Sequence, residues 1–398
     1  MRTLMILIVL LFLICQNLQS QWEPCYNGLG CTTVTSIACS DNIVVAGTDG
    51  CGIYISEDYG KNWVEASSQF QKSTVPDIKI YGNKIYASIW KKGLYFSPDL
   101  GKSWMKIDND ISAQLIFGLE VNENRIVIGA DNDIYISTDD GINWNSISSG
   151  ITGIPVLSLI LNGDMLIAGA VNDGIFLTTD IGKNWKKVKD KCAVYSFGKS
   201  NGKYFAGIWD NYGVSGLYSS VDDGQTWDLI EEGKGYIYLQ AMQGGIIFAG
   251  SYNGAVIKST DAGDSWENIN IGYGKGHVNV LSNSNVYLYA GLELGGIYRA
   301  KLSDLGITGV DESSTVNNSE IQVYPNPAGE YLTIDVGTGR DLSLPGEKIY
   351  ICNLIGECVM YVAAETHGRA SLQIDVSHLH PGVYFARCGG ASQMFVKE

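Results

Sequence analysis

Arginine is almost missing from this 398-residue chain. Between Gln21 and Ile307 only Arg125 and Arg299 occur, too few to form a guanidinium cluster that grips an anionic ligand. Positive charge is scarce throughout, with 27 lysines and arginines against 42 aspartates and glutamates and a net charge of −15. Nucleic acids and anionic membranes need a basic face, so neither is expected as a partner. Past residue 14 no apolar run approaches the roughly 20 residues of a membrane-spanning helix, and no transmembrane segment is expected. Of the four histidines one, His277, falls before residue 308. There is no C-x-x-C pair, clustered set of metal ligands or phosphate-cradling glycine loop, so no metal and no cofactor is expected.

What is present begins with residues 1–20: one arginine, an apolar run from Leu4 to Ile14 and a short polar end. This reads as a secretory signal peptide, cleaved near Ser20, and predicts a soluble, exported protein. Eight cysteines follow it, an even number that permits disulfides outside the cytoplasm. Spacing favours Cys25 with Cys31 and Cys352 with Cys358 as local pairs.

Seven tryptophans, Trp22, Trp63, Trp104, Trp144, Trp185, Trp227 and Trp266, are separated by 41, 41, 40, 41, 42 and 39 residues. A period near 40 with turn chemistry in each unit predicts a radially repeated β-structure. Six of the tryptophans close an S/T-x-D-x-G-x-x-W turn, built on Asp58, Asp99, Asp139, Asp180, Asp222 and Asp261. The carboxylate can accept hydrogen bonds from its own turn, the glycine supplies a positive φ, and the indole packs on a neighbouring strand or blade. These units resemble the Asp-box repeat of sialidases, sortilin and related β-propellers, in which the aspartates are structural.

Ahead of each box lies an apolar strand ending in a small residue, such as Val45-Ala46-Gly47 or Phe205-Ala206-Gly207, with one further apolar strand on either side. That makes strands A, B and C, with the box at the C-to-D turn and the tryptophan opening D. Seven such units occur against six boxes, because Leu302 and Ile307 replace the last aspartate and tryptophan. Trp22 opens a strand with no A to C ahead of it, so the N-terminal strand is expected to complete the seventh blade. The expected fold is all-β: a seven-bladed propeller over residues 21–307, closed without an exposed edge.

A polar stretch, 308–319, has the composition of a linker. Residues 320–398 then carry Val323-Tyr-Pro325-Asn-Pro327, Asn353-Leu-Ile-Gly356, Ile374-Asp-Val-Ser377-His-Leu379 and Pro381-Gly-Val-Tyr384 in that order. Together they resemble the type A C-terminal sorting domain of the bacterial type IX secretion system. The resemblance implies a small immunoglobulin-like β-sandwich, the type IX machinery as partner, and a product released or held at the outer cell surface.

Strand parity puts B-to-C and D-to-A loops on one face, here the upper, and every Asp box on the other. A sialidase-type site needs three arginines, which the propeller lacks. Another glycoside hydrolase would need two facing carboxylates, for which the B-to-C loops offer Asp49, Asp131, Asp133, Asp173, Asp210 and Glu293. The tryptophans outside the ladder, Trp90 and Trp209, occupy equivalent B-to-C positions, with Tyr252 placed alike and His277 near the same face. Exposed aromatics stack on sugars or anchor peptides. The sequence thus favours a monomeric, non-catalytic binder of an extracellular glycan or protein, with Trp90, Trp209, Tyr252, Asp49, Glu293 and His277 as ligand-binding residues and a glycoside hydrolase as the alternative.

Overall fold

The computed structural model describes residues 21–307 except 109–110, 112, 114, 150, 152, 211–214, 234, 270 and 272–275, and further on 322–324, 328–335, 348–353, 358–363, 371–388 and 391–397. The expected signal peptide and linker lie outside the described residues. The chain divides into two compact units, Met1–Gly309 and Val310–Glu398.

The first unit holds seven four-stranded antiparallel sheets, one per repeat. Blade 1 runs Val34–Ser40, Ile43–Thr48, Ile53–Ser56 and Val64–Glu65, and blade 5 Cys192–Ser200, Lys203–Asp210, Ser215–Ser220 and Asp228–Glu232. In the seventh sheet Val278–Asn283, Tyr287–Leu292 and Gly296–Lys301 are joined by Glu23–Pro24, with Glu23 opposite Arg299 and Pro24 opposite Tyr298.

The second strand of each blade is buried almost throughout, because neighbouring strands flank it and neighbouring blades cover its faces. The glycine near its end in six blades, replaced by Ser88 in the other, has a steric cause. A Cβ on Gly47 would stand 2.8 Å from the Val75 side chain of the next blade, and one on Gly207 would stand 2.1 Å from the Ile237 carbonyl oxygen. Glycine here permits the close approach of the next blade's first strand.

Each C-to-D turn repeats one hydrogen-bond pattern. Ser56 Oγ donates to Asp58 Oδ1 at 2.8 Å and accepts from Gly60 N at 2.8 Å, while Asp58 Oδ1 accepts from Asn62 N at 2.9 Å and Oδ2 from Asn62 Nδ2 at 2.7 Å. The residue just before tryptophan is therefore part of the turn: Asn62, Ser103, Asn143, Asn184, Thr226 and Ser265 each bind the aspartate through backbone and side chain. The left-handed conformation also extends one residue ahead of the glycine, with Tyr59 at φ 60° before Gly60 at 83°. A non-glycine residue there costs about 1 kcal/mol, which the surrounding bonds offset.

The indoles link blades. Trp63 Nε1 donates to Cys25 O at 2.6 Å, Trp144 to Ile107 O at 2.7 Å, Trp185 to Ile147 O at 2.6 Å and Trp22 to Ile269 O at 2.5 Å, each onto the preceding blade. The disulfide differs from expectation: Cys31 pairs with Cys51 across a Cα separation of 5.9 Å, and Cys25 is free. Cys25 lies in the core with Tyr54, Trp63 and Tyr289, so its thiol cannot reach the loop that carries Cys31. Cys352 and Cys358 face one another as backbone partners, but their side chains lie outside the described residues.

The second unit consists of a three-stranded sheet, Gln322–Tyr324, Tyr331–Asp335 and Ser371–Asp375, and a four-stranded sheet ordered Cys358–Ala363, Lys348–Asn353, Gly382–Cys388 and Ala391–Lys397. Leu332, Ile334, Ile351, Ile374 and Ala386 supply buried apolar side chains.

Candidate functional site

The first strands of the seven blades surround a cavity of about 420 Å³. In six of the blades the pairing of strands A and B slips by one residue near the upper end, at Val34/Ser36, Ile116/Gly118, Val156/Ser158, Val194/Ser196, Tyr236/Tyr238 and Val278/Val280. A bulge of this kind re-aims a side chain. Phe117 and Tyr195 are the residues left out of the pairing at two of these slips, Tyr238 directly follows the slip in its blade, and all three line the cavity.

Around Tyr252 the upper face gathers aromatic groups from three blades. Trp209, at the end of Lys203–Asp210, meets Tyr252 edge to face at 5.7 Å between ring centroids. Tyr252 meets Tyr238 at 6.4 Å and His277 at 5.3 Å, and Tyr238 meets Tyr195 at 6.1 Å. Burial, with the nearby Tyr252 phenol adding to it, raises the phenols of Tyr195 and Tyr238 above their ordinary range. His277 Nδ1 stands 2.8 Å from Glu293 Oε2, with both side chains about half exposed. Trp209 is 40% exposed, so the cluster is open to solvent on one side.

The structure thus brings together Trp209, Tyr252, His277 and Glu293 but leaves Trp90 and Asp49 apart from them. Trp90 packs on Phe117 of blade 3 at 5.8 Å and is 38% exposed. Asp49 accepts from Thr74 Oγ1 at 2.6 Å. Its backbone N–H donates to Thr33 O, while Thr33 Oγ1 accepts from Leu294 N, so Thr33 joins the Asp49 loop to the loop after Glu293. Of the other carboxylates proposed for hydrolysis, Asp133 accepts from Ser146 and Ser148, Asp173 pairs with Lys187 at 2.5 Å, and Asp173 and Asp210 both lie near the Cys192 thiol. Tyr195 and Tyr238 were not among the sequence candidates. Their signal is positional, since each stands in strand A where the register breaks and reads as core hydrophobicity unless the repeats are aligned.

Deeper in the channel Lys79 Nζ contacts Glu120 Oε1 at 2.9 Å, and Asp77 Oδ2 accepts from Leu119 N of the next blade at 3.0 Å. Burial pushes the Asp77 carboxyl up to about 6 against the pull of Lys79, with Glu120 adding to the rise. The carboxylates of the C-to-D turns shift the other way: hydrogen bonds from Asn184, Thr226 and Ser265 hold Asp180, Asp222 and Asp261 down at about 2. Burial raises the thiols of Cys25 and Cys39 to about 12 and Cys192 to about 11, which keeps them protonated and poorly nucleophilic at neutral pH. Among the described residues no group of three or more histidine, cysteine, aspartate or glutamate side chains could hold a metal ion.

Residues 322–398 match the Secretion system C-terminal sorting domain family. The protein is therefore exported, to the medium or the cell surface, and the sorting domain implies an interaction with the secretion machinery. No described helix is long and apolar enough to cross a membrane. No curated protein sequence matches the chain. Solved structures share the fold. YCF48 bound to D1 peptide is 14% identical with a TM-score of 0.57, covering 71% of this chain and 97% of that one. PorZ of Porphyromonas gingivalis, a surface component of the type-IX secretion system, is 11% identical with a TM-score of 0.52, covering 94% of this chain and 61% of its own. A GH74 enzyme of Niastella koreensis is 12% identical with a TM-score of 0.56, covering 95% of this chain and 74% of that one.

Proposed function

We propose that this is an exported, non-catalytic propeller that binds a glycan or protein ligand through its upper face, on the cluster of Trp209, Tyr252, His277 and Glu293. Residues 1–20 direct secretion, the Asp boxes form the lower scaffold, the N-terminal strand closes the ring, and residues 320–398 form an immunoglobulin-like sandwich read by the type IX machinery after the 308–319 linker. The observation that carries the binding reading is the gathering of a half-exposed tryptophan, three tyrosines and a histidine–carboxylate contact beside the channel mouth. Large amphipathic rings with few rotatable bonds suit recognition at low entropic cost. Asp49 and Glu293 each engage a neighbour, which favours recognition over a general acid–base pair.

The test is to screen the full chain against polysaccharide and peptide panels while assaying reducing-end release. Binding that is lost in Trp209→Ala without any release of reducing ends supports the proposal. Retained binding in folded Trp209→Ala overturns the site. Release of reducing ends that disappears in Glu293→Gln overturns the non-catalytic reading in favour of glycoside hydrolysis.

A further inference from the structure

The cluster's chemistry is narrower than that of a general contact surface. Successive rings stand nearly perpendicular, at 83° for Trp209 and Tyr252, 72° for Tyr252 and Tyr238, and 69° for Tyr238 and Tyr195. Rings meeting edge to face form corners, each walled by the electron-rich face of one of them. Glu293 adds a carboxylate close enough to raise the Tyr238 phenol further. Among the described residues, the lysine and arginine groups that stack on rings do so elsewhere, on Phe96, Phe176, Tyr218, Tyr204 and Tyr287.

A neutral sugar would gain stacking in such a corner, whereas a cation gains both attraction to the ring face and the field of the carboxylate. An anion would meet repulsion from both. The net charge of −15 also draws cationic partners towards the molecule. The cluster runs across three blades, a span that suits a chain segment better than a single small amine.

We propose that the upper-face cluster is an aromatic cage for positive charge, and that its occupant is a lysine- or arginine-bearing segment of a partner protein. This rests on the ligand-binding reading above. The geometry assigns Trp209 and Tyr252 as the stacking walls and Glu293 as the counter-charge, while His277 holds the Glu293 carboxylate in place.

The experiment titrates the full chain with hexalysine, with hexaglutamine and with neutral oligosaccharides, following tryptophan fluorescence and heat. Hexalysine is expected to bind and hexaglutamine not. Trp209→Ala, which leaves the net charge unchanged, and Glu293→Gln are each expected to weaken hexalysine binding about tenfold. Glu123→Gln, which removes the same charge from an exposed lower-face loop, should change it less than twofold. Circular dichroism checks that each variant is folded. Equal weakening by Glu123→Gln and Glu293→Gln, or no effect of Trp209→Ala, overturns the cage. If neutral oligosaccharides bind through Trp209 and hexalysine does not, the cationic ligand is wrong while the binding site stands. If nothing binds through Trp209, both fall.

Discussion

Arg299 is the side chain whose replacement most directly probes how the ring is held. It is 6% exposed in the third strand of blade 7, and its Nε and Nη2 both donate to Glu23 Oε1 at 2.7 Å. Nη1 donates to the carbonyl of Tyr59 in the turn of blade 1, and the guanidinium lies 4.4 Å from the ring centre of Tyr287. One residue thus ties the N-terminal strand, blade 7 and blade 1. In Arg299→Met the stem packing survives and the polar contacts vanish. Losing the Glu23 pair costs roughly 1 kcal/mol, because that carboxylate is more than half exposed and returns to water. The Tyr59 carbonyl keeps the Tyr289 hydroxyl at 3.2 Å but loses its charged donor, which adds roughly 1 kcal/mol, and the lost ring contact adds roughly 1 kcal/mol. The expected loss is about 3 kcal/mol, or about 5 °C in the melting temperature of a domain this size. Urea unfolding followed by tryptophan fluorescence measures it. Hydrogen exchange localises it, because the Cys25 amide, bonded to Ile297 O at 2.9 Å, should exchange faster in the variant. A loss under about 1 kcal/mol with unchanged Cys25 exchange would refute the reasoning.

Two further outcomes follow from other parts of the molecule. Cys31 and Cys51 close a loop over a sequence separation of 20, so Cys31→Ser is expected to lower stability by about 3 kcal/mol; reductant should do the same to wild type and nothing to the variant, as read from urea midpoints. Asp77 holds its proton more tightly folded than unfolded, so its contribution is fully present below about pH 4 and lost as the pH rises through about 6. The stability of wild type relative to Asp77→Asn should therefore fall by about 2 kcal/mol between pH 4 and 7, discounted for partial opening to the channel, and a pH-independent difference would contradict the placement of the carboxyl.

The repeat was legible because its determinants are local: a serine or threonine, an aspartate and a glycine specify one turn from within eight residues, and a steric close approach writes a glycine near the end of the second strand in six of the seven blades. The polar residue before each tryptophan completes the same turn, yet it varies among asparagine, serine and threonine and so hides from a strict pattern. The site was harder to read. Trp209, Tyr252, His277 and Glu293 are loop-proximal residues that strand parity could place, whereas Tyr195 and Tyr238 depend on a register slip that spacing does not reveal. Trp90 shows the limit of positional equivalence, since the same B-to-C position in blade 2 meets Phe117 and no tyrosine cluster. Cys25 was mispaired because proximity along the chain says nothing about which thiol faces the core.

The strand Glu23–Pro24 carries a kinetic consequence. Its partner Arg299 lies 276 residues further on, and the indole of Trp22 finds its acceptor 247 residues away. A chain emerging from its N-terminus exposes this strand first and can pair it only last. Six sheets can form from contiguous sequence, but the seventh must wait for both ends, a non-local step that makes folding slow. Until then the early blades present an open edge, which only the return of the N-terminal strand removes.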